Sequence, residues 1–318
     1  MQYTLLGDTG LRVSVAGLGC GGFSRLGLAR GASTAEAVSL VGRALDTGVN
    51  FIDTAAAYGT EEVVGAALRG RDRDEVVVST KAGIAANGEL KPAVEVVASL
   101  DASLKALGTD RVEVFHLHGV APEHLARARE HIVPALLDEQ RAGKFRFLGI
   151  TEVPPRDPSH AMLGEAVGDP RFQVMMVAHH MLHQGAAQEL LPRARSRGVG
   201  VLGMFAVRVI FSQMQRLQQA IDRLVSAGEL APDAAGPGAP LSFLVHQEGA
   251  RSLIDAAYRF CRHECGIHVV LFGTGVTAHL DQALASILRP PLPEEDLACL
   301  RRRFGHLQGV GLDAPGTR

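Results

Sequence analysis

The sequence predicts an α/β fold in which eight parallel strands close into a (β/α)8 barrel of the TIM type. Three observations carry that expectation. Short β-branched runs alternate with longer amphipathic stretches about eight times, the rhythm of strand-then-helix units in a parallel sheet. The 318 residues, 47% of them hydrophobic, suit one barrel domain over 1–318. The first glycine-rich turn, Gly17-Leu18-Gly19-Cys20-Gly21-Gly22, reads G-x-G-x-G-G. An open doubly wound sheet would place G-x-G-x-x-G before its first helix, and residues 26–32 open a helix poorly.

Each element follows from local chemistry. Residues 3–6 and 12–15 flank the turn cluster Gly7-Asp8-Thr9-Gly10 and predict a β-hairpin. Residues 16–19 form the first inner strand. A helix spans 34–47, with Ser33 as its N-cap. A strand over 50–53 and a short helix over 61–68 come next. The run 75–80 is apolar on both faces, as a buried parallel strand should be. Val94, Val97, Leu100, Leu104 and Leu107 lie at helical spacing over 92–107, and Gly108 ends that helix. Strands over 112–117, 145–150, 172–178 and 200–204 then alternate with helical stretches over 123–142, 159–167 and 187–197. The rhythm breaks at 205–240, which carries Arg208, Arg216 and Arg223 and ends in a Gly/Pro-rich run. That segment reads either as an excursion covering a ligand or as a variable surface loop. A helix over 242–263, a strand over 268–272, helices over 278–288 and 293–304, and a loose tail over 305–318 complete the chain.

Composition narrows the function. The net charge of −2 supplies no basic field for nucleic acid. No apolar run approaches the roughly 20 residues of a membrane span. The opening MQYTLLGDTG has neither the basic region nor the apolar core of a signal peptide, so a cytoplasmic protein is expected. Cys20, Cys261, Cys265 and Cys299 show no zinc spacing and read as free thiols. His116 and His118 share a strand face, but no third ligand at a strand end accompanies them, and no metal is expected. Oligomeric state leaves no mark.

The chemistry concentrates where strands end. Asp53 closes one strand, Lys81 the next and His118 the next, while Tyr58 lies five residues past Asp53. Barrel enzymes work at this C-terminal rim. Singly, a strand-end Asp is as well read as a helix cap, a Lys as a rim charge and a His as a satisfied core residue. Together on consecutive strands they read as an acid–base assembly. A phenol with a pKa near 10 is a poor donor at neutral pH unless a neighbouring ammonium stabilises its phenolate. Lys81 supplies that charge, Asp53 holds Lys81, and His118 is placed to hydrogen-bond a carbonyl oxygen. The assembly polarises C=O and protonates it but contains no hydride source, so a nicotinamide is implied.

These residues sit in longer matching stretches: LLGDTGLRVSVAGLGCGG, NFIDTAAAYG, STKAG, SLKALGTDRVEVFHLH, GIT at 149–151, GVGVLGM at 198–204 and FGTGVTAHL at 272–280. With them the chain resembles the aldo-keto reductase family over nearly its full length. The resemblance implies a barrel whose N-terminal hairpin closes the bottom. It also implies an extended NADP(H) or NAD(H) across the rim, a small carbonyl or alcohol substrate, and Asp53, Tyr58, Lys81 and His118 as the catalytic set. Its cofactor-binding positions fall on Gly22, Phe23, Asp53, Thr151, Glu152, Met204, Phe205, Gly273, Thr274, Gly275, His279 and Gln282.

Several positions depart from the family pattern. Thr151-Glu152 replaces the Ser-Asn that grips the nicotinamide amide, and an ionised Glu152 can only accept. Met176 replaces a Gln, and His179-His180 a Tyr-Asn pair. Met204, beside Phe205, stands where an aromatic ring usually stacks on nicotinamide. Gly275, Val276 and His279 occupy positions often held by 2′-phosphate-binding cations, which tilts the cofactor toward NAD or dual use unless Arg208 or Arg216 folds back. His179 and His180 read as substrate contacts or as loop residues. An aromatic pocket would draw on Phe23, Phe205 and Phe211, with Phe23 best placed. Besides a reductase, the same site suits an NAD-dependent sugar (aldose) dehydrogenase. A nucleotide-sensing subunit with little turnover is a third reading.

Overall fold

The structure is a computed structural model and describes residues 1–234 and 238–313. The chain opens with a hairpin, β1 (Tyr3–Leu5) against β2 (Arg12–Ser14), joined through a 3-10 turn at Gly7–Thr9. Leu6, Leu11 and Val13 point into the barrel from below, where they pack with Phe51, Val77, Val114, Val174, Leu202 and Val269. Fully burying each such aliphatic side chain stabilises the fold by about 1.5–3 kcal/mol. The Asp8 amide donates to the Gly198 carbonyl at 2.7 Å. Gly7 is indispensable there: its φ is +54°, and a Cβ would lie 2.3 Å from the Gly198 oxygen.

Strand β3 (Ala16–Gly19) leads to α1 (Thr34–Asp46), which starts from a reciprocal capping box between Ser33 and Glu36. Next come β4 (Phe51–Asp53), α2 (Glu61–Leu68), β5 (Val77–Gly83), a small hairpin of β6 (Ala85–Ala86) and β7 (Glu89–Leu90), and α3 (Ala93–Leu107). Strand β8 (Val112–Val120) precedes α4 (Pro122–His131) and α5 (Val133–Arg141). Strand β9 (Phe145–Glu152), α6 (Ala161–Ala166), β10 (Val174–Ala178), α7 (Leu190–Ser196) and β11 (Gly200–Met204) continue the alternation. After α8 (Val209–Ser212), α9 (Met214–Ser226) and α10 (Leu253–Arg262) come β12 (Val269–Phe272), α11 (Thr277–Ile287) and α12 (Glu294–Phe304).

The eight strands β3, β4, β5, β8, β9, β10, β11 and β12 form a closed barrel, and every pair is parallel. Pairing of Val270 with Ala16 joins the last strand to the first. Side chains alternate along each strand, so Phe51, Val77 and Val114 fill the lumen while Ile52, Val78 and Phe115 meet the helices. The predicted fold class is therefore the observed one. No helix among the described residues is long and apolar enough to cross a membrane.

Several local expectations need correction. The single helix expected over 123–142 breaks at Ile132, and Pro134 sits in the first turn of α5, where its missing N–H does no harm. The helix expected over 242–263 begins at Leu253, capped by Ser252; before it lies a 3-10 turn at Ser242–Leu244. Glu75 ends a 3-10 turn instead of opening a strand. The segment 205–240 is an excursion with helices of its own, α8 and α9, and residues 235–237 of its Gly/Pro run lie outside the described residues. The tail expected to be loose is packed as far as 313: the Gly309 amide donates to His183 Nδ1 at 3.2 Å and Leu312 is buried. Residues 314–318 lie outside the described residues.

Candidate active site

Three neighbouring strands bring the polar group together. β4 ends at Asp53, β5 carries Lys81 near its C-terminal end, and β8 carries His118, whose partner in register is Gly83. Tyr58 closes a short 3-10 turn, Ala56–Tyr58, and Gly59 in the left-handed region turns the chain toward α2. The Tyr58 ring lies against the backbone of the first βα loop. A Cβ at Gly21 would stand 2.5 Å from Tyr58 Cε2, so that position has no room for a side chain.

Lys81 is fully buried, and its ammonium donates at 2.7 Å to each Asp53 carboxylate oxygen and at 2.7 Å to the Thr54 carbonyl. Ser79 donates to Asp53 Oδ1 at 2.9 Å. Lys81 Nζ is also 5.1 Å from the Tyr58 ring centroid, and His118 meets that ring edge-on at 5.6 Å. Lysine, phenol and imidazole thus form one contiguous group.

Burial drives the Asp53 carboxyl upward, with Lys81 opposing it. Burial pulls Lys81 down, but Asp53 and Tyr58 outweigh it, and the ammonium is held above its ordinary value. For Tyr58, burial raises the pKa and outweighs the lowering by Lys81, to which Asp53 adds a further upward push. The expected descent of the phenol toward neutrality is therefore not found. Lys81 does favour the phenolate, but its charge is already engaged by a carboxylate at contact distance. Burial, then Lys81, push His118 down to about 3, so its imidazole is neutral at physiological pH. His116 lies one layer deeper in the lumen, fully buried, and is likewise held well below the ordinary histidine value by burial and Lys81.

The expected cofactor positions divide. Gly22 has φ +71° and open space where a Cβ would stand, next to the half-buried Phe23. Thr151 faces the same end of the barrel, where its Oγ1 accepts from the Gly119 amide at 2.7 Å and keeps its own proton to donate. Met204 ends β11, and Phe205 just after it adopts φ +71°, a strained conformation for a side-chain-bearing residue. The guanidinium of Arg208 covers a face of that ring, 3.8 Å from its centroid. Gly273, Thr274 and Gly275 form a turn in which Thr274 Oγ1 accepts from the Val276 amide at 3.0 Å; Gly275 packs on the backbone of Gly27. His279 and Gln282 are exposed on α11.

Glu152 is not brought to this group. Its side chain is fully buried behind the barrel wall, with Oε1 accepting from the Ala178 amide at 2.7 Å and Oε2 2.8 Å from His160 Nδ1. Adjacent strand residues face opposite sides, so Thr151 inward puts Glu152 outward. His179 and His180, directly after β10, are both fully buried. His179 stacks on Phe260 with centroids 5.2 Å apart; His180 contacts Phe211 and His183. With His160, 4.8 Å from the His183 ring, they make a buried imidazole cluster that the sequence reading did not assemble. His160 and His183 lie on loops with no periodicity to mark them. No group of residues able to hold a metal ion occurs among the described residues.

Known proteins share this architecture. A family model described as the Aldo/keto reductase family matches residues 17–302. L-galactose dehydrogenase from Arabidopsis thaliana is 33% identical over 208 residues, 64% of this chain and 64% of that protein. D-threo-aldose 1-dehydrogenase from Pseudomonas sp. is 30% identical over 219 residues, 60% of this chain and 65% of that protein. The matches thus span just under two thirds of these relatives' lengths. Among solved structures, an aldo-keto reductase from Bacillus halodurans in its holo form is similar with a TM-score of 0.73 at 20% identity, over 100% of this chain and 99% of that one.

Proposed function

The chain belongs to the aldo/keto reductase family, and from that premise we propose that it is an oxidoreductase interconverting an aldehyde or ketone with its alcohol, using NAD(H) or NADP(H) and Tyr58 as the proton donor and acceptor. The observation that carries this reading is the contiguous group of Asp53, Lys81, Tyr58 and His118 at one end of the barrel.

The residues present fit a dinucleotide along the rim. Gly22 and the Gly273–Gly275 turn would offer backbone to it, Thr151 a hydroxyl to its amide, and Met204 and Phe205 apolar surface to its nicotinamide ring. Arg208 brings two buried nitrogens without partners. When bound, the nicotinamide supplies or takes the hydride. The chain's own residues do the rest. Tyr58 Oη donates a proton to the carbonyl oxygen, and Lys81 stabilises the phenolate left behind. Asp53 keeps Lys81 charged and oriented in a buried site. Neutral His118 donates a hydrogen bond to the same oxygen, without surrendering a proton. General-acid assistance of this kind is worth about 10²–10⁴ in rate.

A second reading, NAD-dependent oxidation of a sugar, draws support from the two relatives named as dehydrogenases of L-galactose and of D-threo-aldose. The absence of fixed cations at Gly275, Val276 and His279 points the same way. In that direction the Tyr58 phenolate accepts the alcohol proton, and its raised pKa makes the oxidation favour alkaline pH.

Fluorescence titration with NADH and NADPH, followed by turnover of aldehydes with the reduced cofactors and of sugars with the oxidised ones, tests both readings. The reading fails if neither dinucleotide binds. Tighter NADPH binding with aldehyde reduction favours the reductase; NADH binding at least as tight, with sugar oxidation, favours the dehydrogenase.

A further inference from the structure

Arg208 takes no part in the proton transfer described above, and its setting is unusual. The residue is 8% exposed, with Nε and Nη2 buried and without a hydrogen-bond partner. What it touches is aromatic: its guanidinium carbon lies 3.8 Å from the Phe205 centroid and 5.0 Å from that of Phe23. A buried guanidinium with unmade hydrogen bonds is unfavourable unless a partner arrives. Two rings hold it flat but leave its in-plane N–H groups free.

The topology says where those groups are. Phe205 follows β11 and Phe23 follows β3, and β12 is the one strand between them in the closed barrel. The guanidinium therefore bridges the C-terminal rim across the end of β12. Two residues before Phe23 is Gly21, on which Tyr58 rests. No anion among the described residues pairs with the charge. Asp313 favours it at longer range but stands 3.9 Å from Arg216 and engages neither buried nitrogen of Arg208. His180, held neutral by burial, adds none.

We propose that Arg208, clamped between Phe23 and Phe205, is an anion-recognition residue of the barrel mouth that takes a paired-oxygen group, a carboxylate or a phosphate, of the ligand bound there. The planar fork of arginine suits two oxygens in one plane, and the rings fix its orientation before the ligand enters. One source of such a group is a phosphate of the dinucleotide; the other is an acid group on the carbonyl substrate. The inference rests on the mouth being the reaction site, but it concerns binding and does not depend on turnover.

The test uses the full chain as wild type, Arg208→Gln and Arg208→Lys. Thermal midpoints are first measured with inorganic pyrophosphate and with malonate, against sodium chloride of equal ionic strength. Wild type gains a midpoint shift from at least one anion that chloride does not give. Arg208→Gln loses it, and Arg208→Lys, with a point charge in place of the fork, keeps part. NADH and NADPH titrations by cofactor fluorescence then identify the source. A loss of affinity of roughly 10-fold or more for both in Arg208→Gln assigns the phosphate. Unchanged cofactor affinity, with a similar loss in kcat/KM for a uronic acid but not for its parent aldose, assigns the substrate acid group. Equal behaviour of wild type and Arg208→Gln in all these measurements overturns the proposal. Anion binding without any carbonyl turnover keeps it and removes the oxidoreductase reading; turnover with an indifferent Arg208→Gln does the reverse.

Discussion

Replacing Lys81 by methionine removes a buried ammonium and leaves a buried carboxylate. In the native protein both Asp53 oxygens are held by Lys81 at 2.7 Å, and Ser79 adds one further bond. Without Lys81 the two contributions that lower the Asp53 pKa most are lost, and burial acts almost alone. Breaking a buried pair by removing one partner costs about 3–5 kcal/mol, because the survivor stays desolvated. Lys81→Met is expected to lose stability of that order at pH 8. The loss shrinks at lower pH. An Asp53 carboxyl raised in the folded state binds a proton that the unfolded chain, with a carboxyl near 3.9, has released. The variant's stability is therefore greatest in acid and falls as pH rises above about 4, by at most ~1.4 kcal/mol per pH unit.

Urea unfolding of wild type, Lys81→Met, Asp53→Asn and the double variant at pH 5.5 and 8.0 measures this. The double variant has no unpaired charge, so it should be more stable than Lys81→Met at pH 8, with a coupling of at least about 2 kcal/mol. A Lys81→Met deficit that is equal at both pH values, together with additive single effects, would refute a mutually dependent buried pair.

Further outcomes are expected elsewhere in the chain. Tyr58→Phe should bind NADH or NADPH within about 2-fold of wild type yet lose about 10²-fold or more in turnover; more than a tenth of the activity remaining would remove Tyr58 as the proton donor. Because the Tyr58 pKa is raised by burial, carbonyl reduction should stay level from pH 6 to 9, where the phenol remains protonated. Alcohol oxidation should climb over the same range as phenolate forms; a reduction rate that collapses at pH 8 speaks against this. Glu152→Ala should cost about 3–5 kcal/mol, since His160 and the Ala178 amide lose their buried partner, while dinucleotide affinity holds. A tenfold weaker dinucleotide at intact stability would return Glu152 to the binding site. Gly7→Ala should lower the thermal midpoint by several degrees through the contact with Gly198.

What the sequence revealed depended on how local the cause was. The barrel strands were legible because each is a short β-branched run bounded by turns, and α1 because Ser33 and Glu36 stand three apart ahead of an apolar face. Asp53, Lys81 and His118 could be grouped because they lie at or near the C-terminal ends of consecutive barrel strands, and strand order in a barrel follows chain order. A signal passed over was Asn87-Gly88, whose positive φ values make the turn of the β6–β7 hairpin. The start of α10 was equally readable: Ser252 accepts from the Asp255 amide. Other features had no local cause. Glu152 was placed at the mouth by position in a motif, whereas strand parity turns it outward to His160. The clamp on Arg208 joins Phe23 and Phe205, from loops far apart in the sequence, and no spacing could announce it.

The hairpin beneath the barrel also fixes an order of assembly. Leu6 and Gly7 are made early, yet their contacts lie with Val199, Gly200 and the Gly198 carbonyl. At a synthesis rate of about 5–20 residues per second, the ribosome needs roughly 10–40 s to make the stretch between them. Through that interval the apolar tip of the hairpin has only part of its seat, since Leu202 and Val269 are not yet made. Strand β3, its immediate successor, waits longer still for β12. The newborn chain thus carries an unsatisfied N-terminal end until its C-terminal third emerges, a window in which a chaperone able to shield Leu6, Leu11 and Val13 would find its substrate.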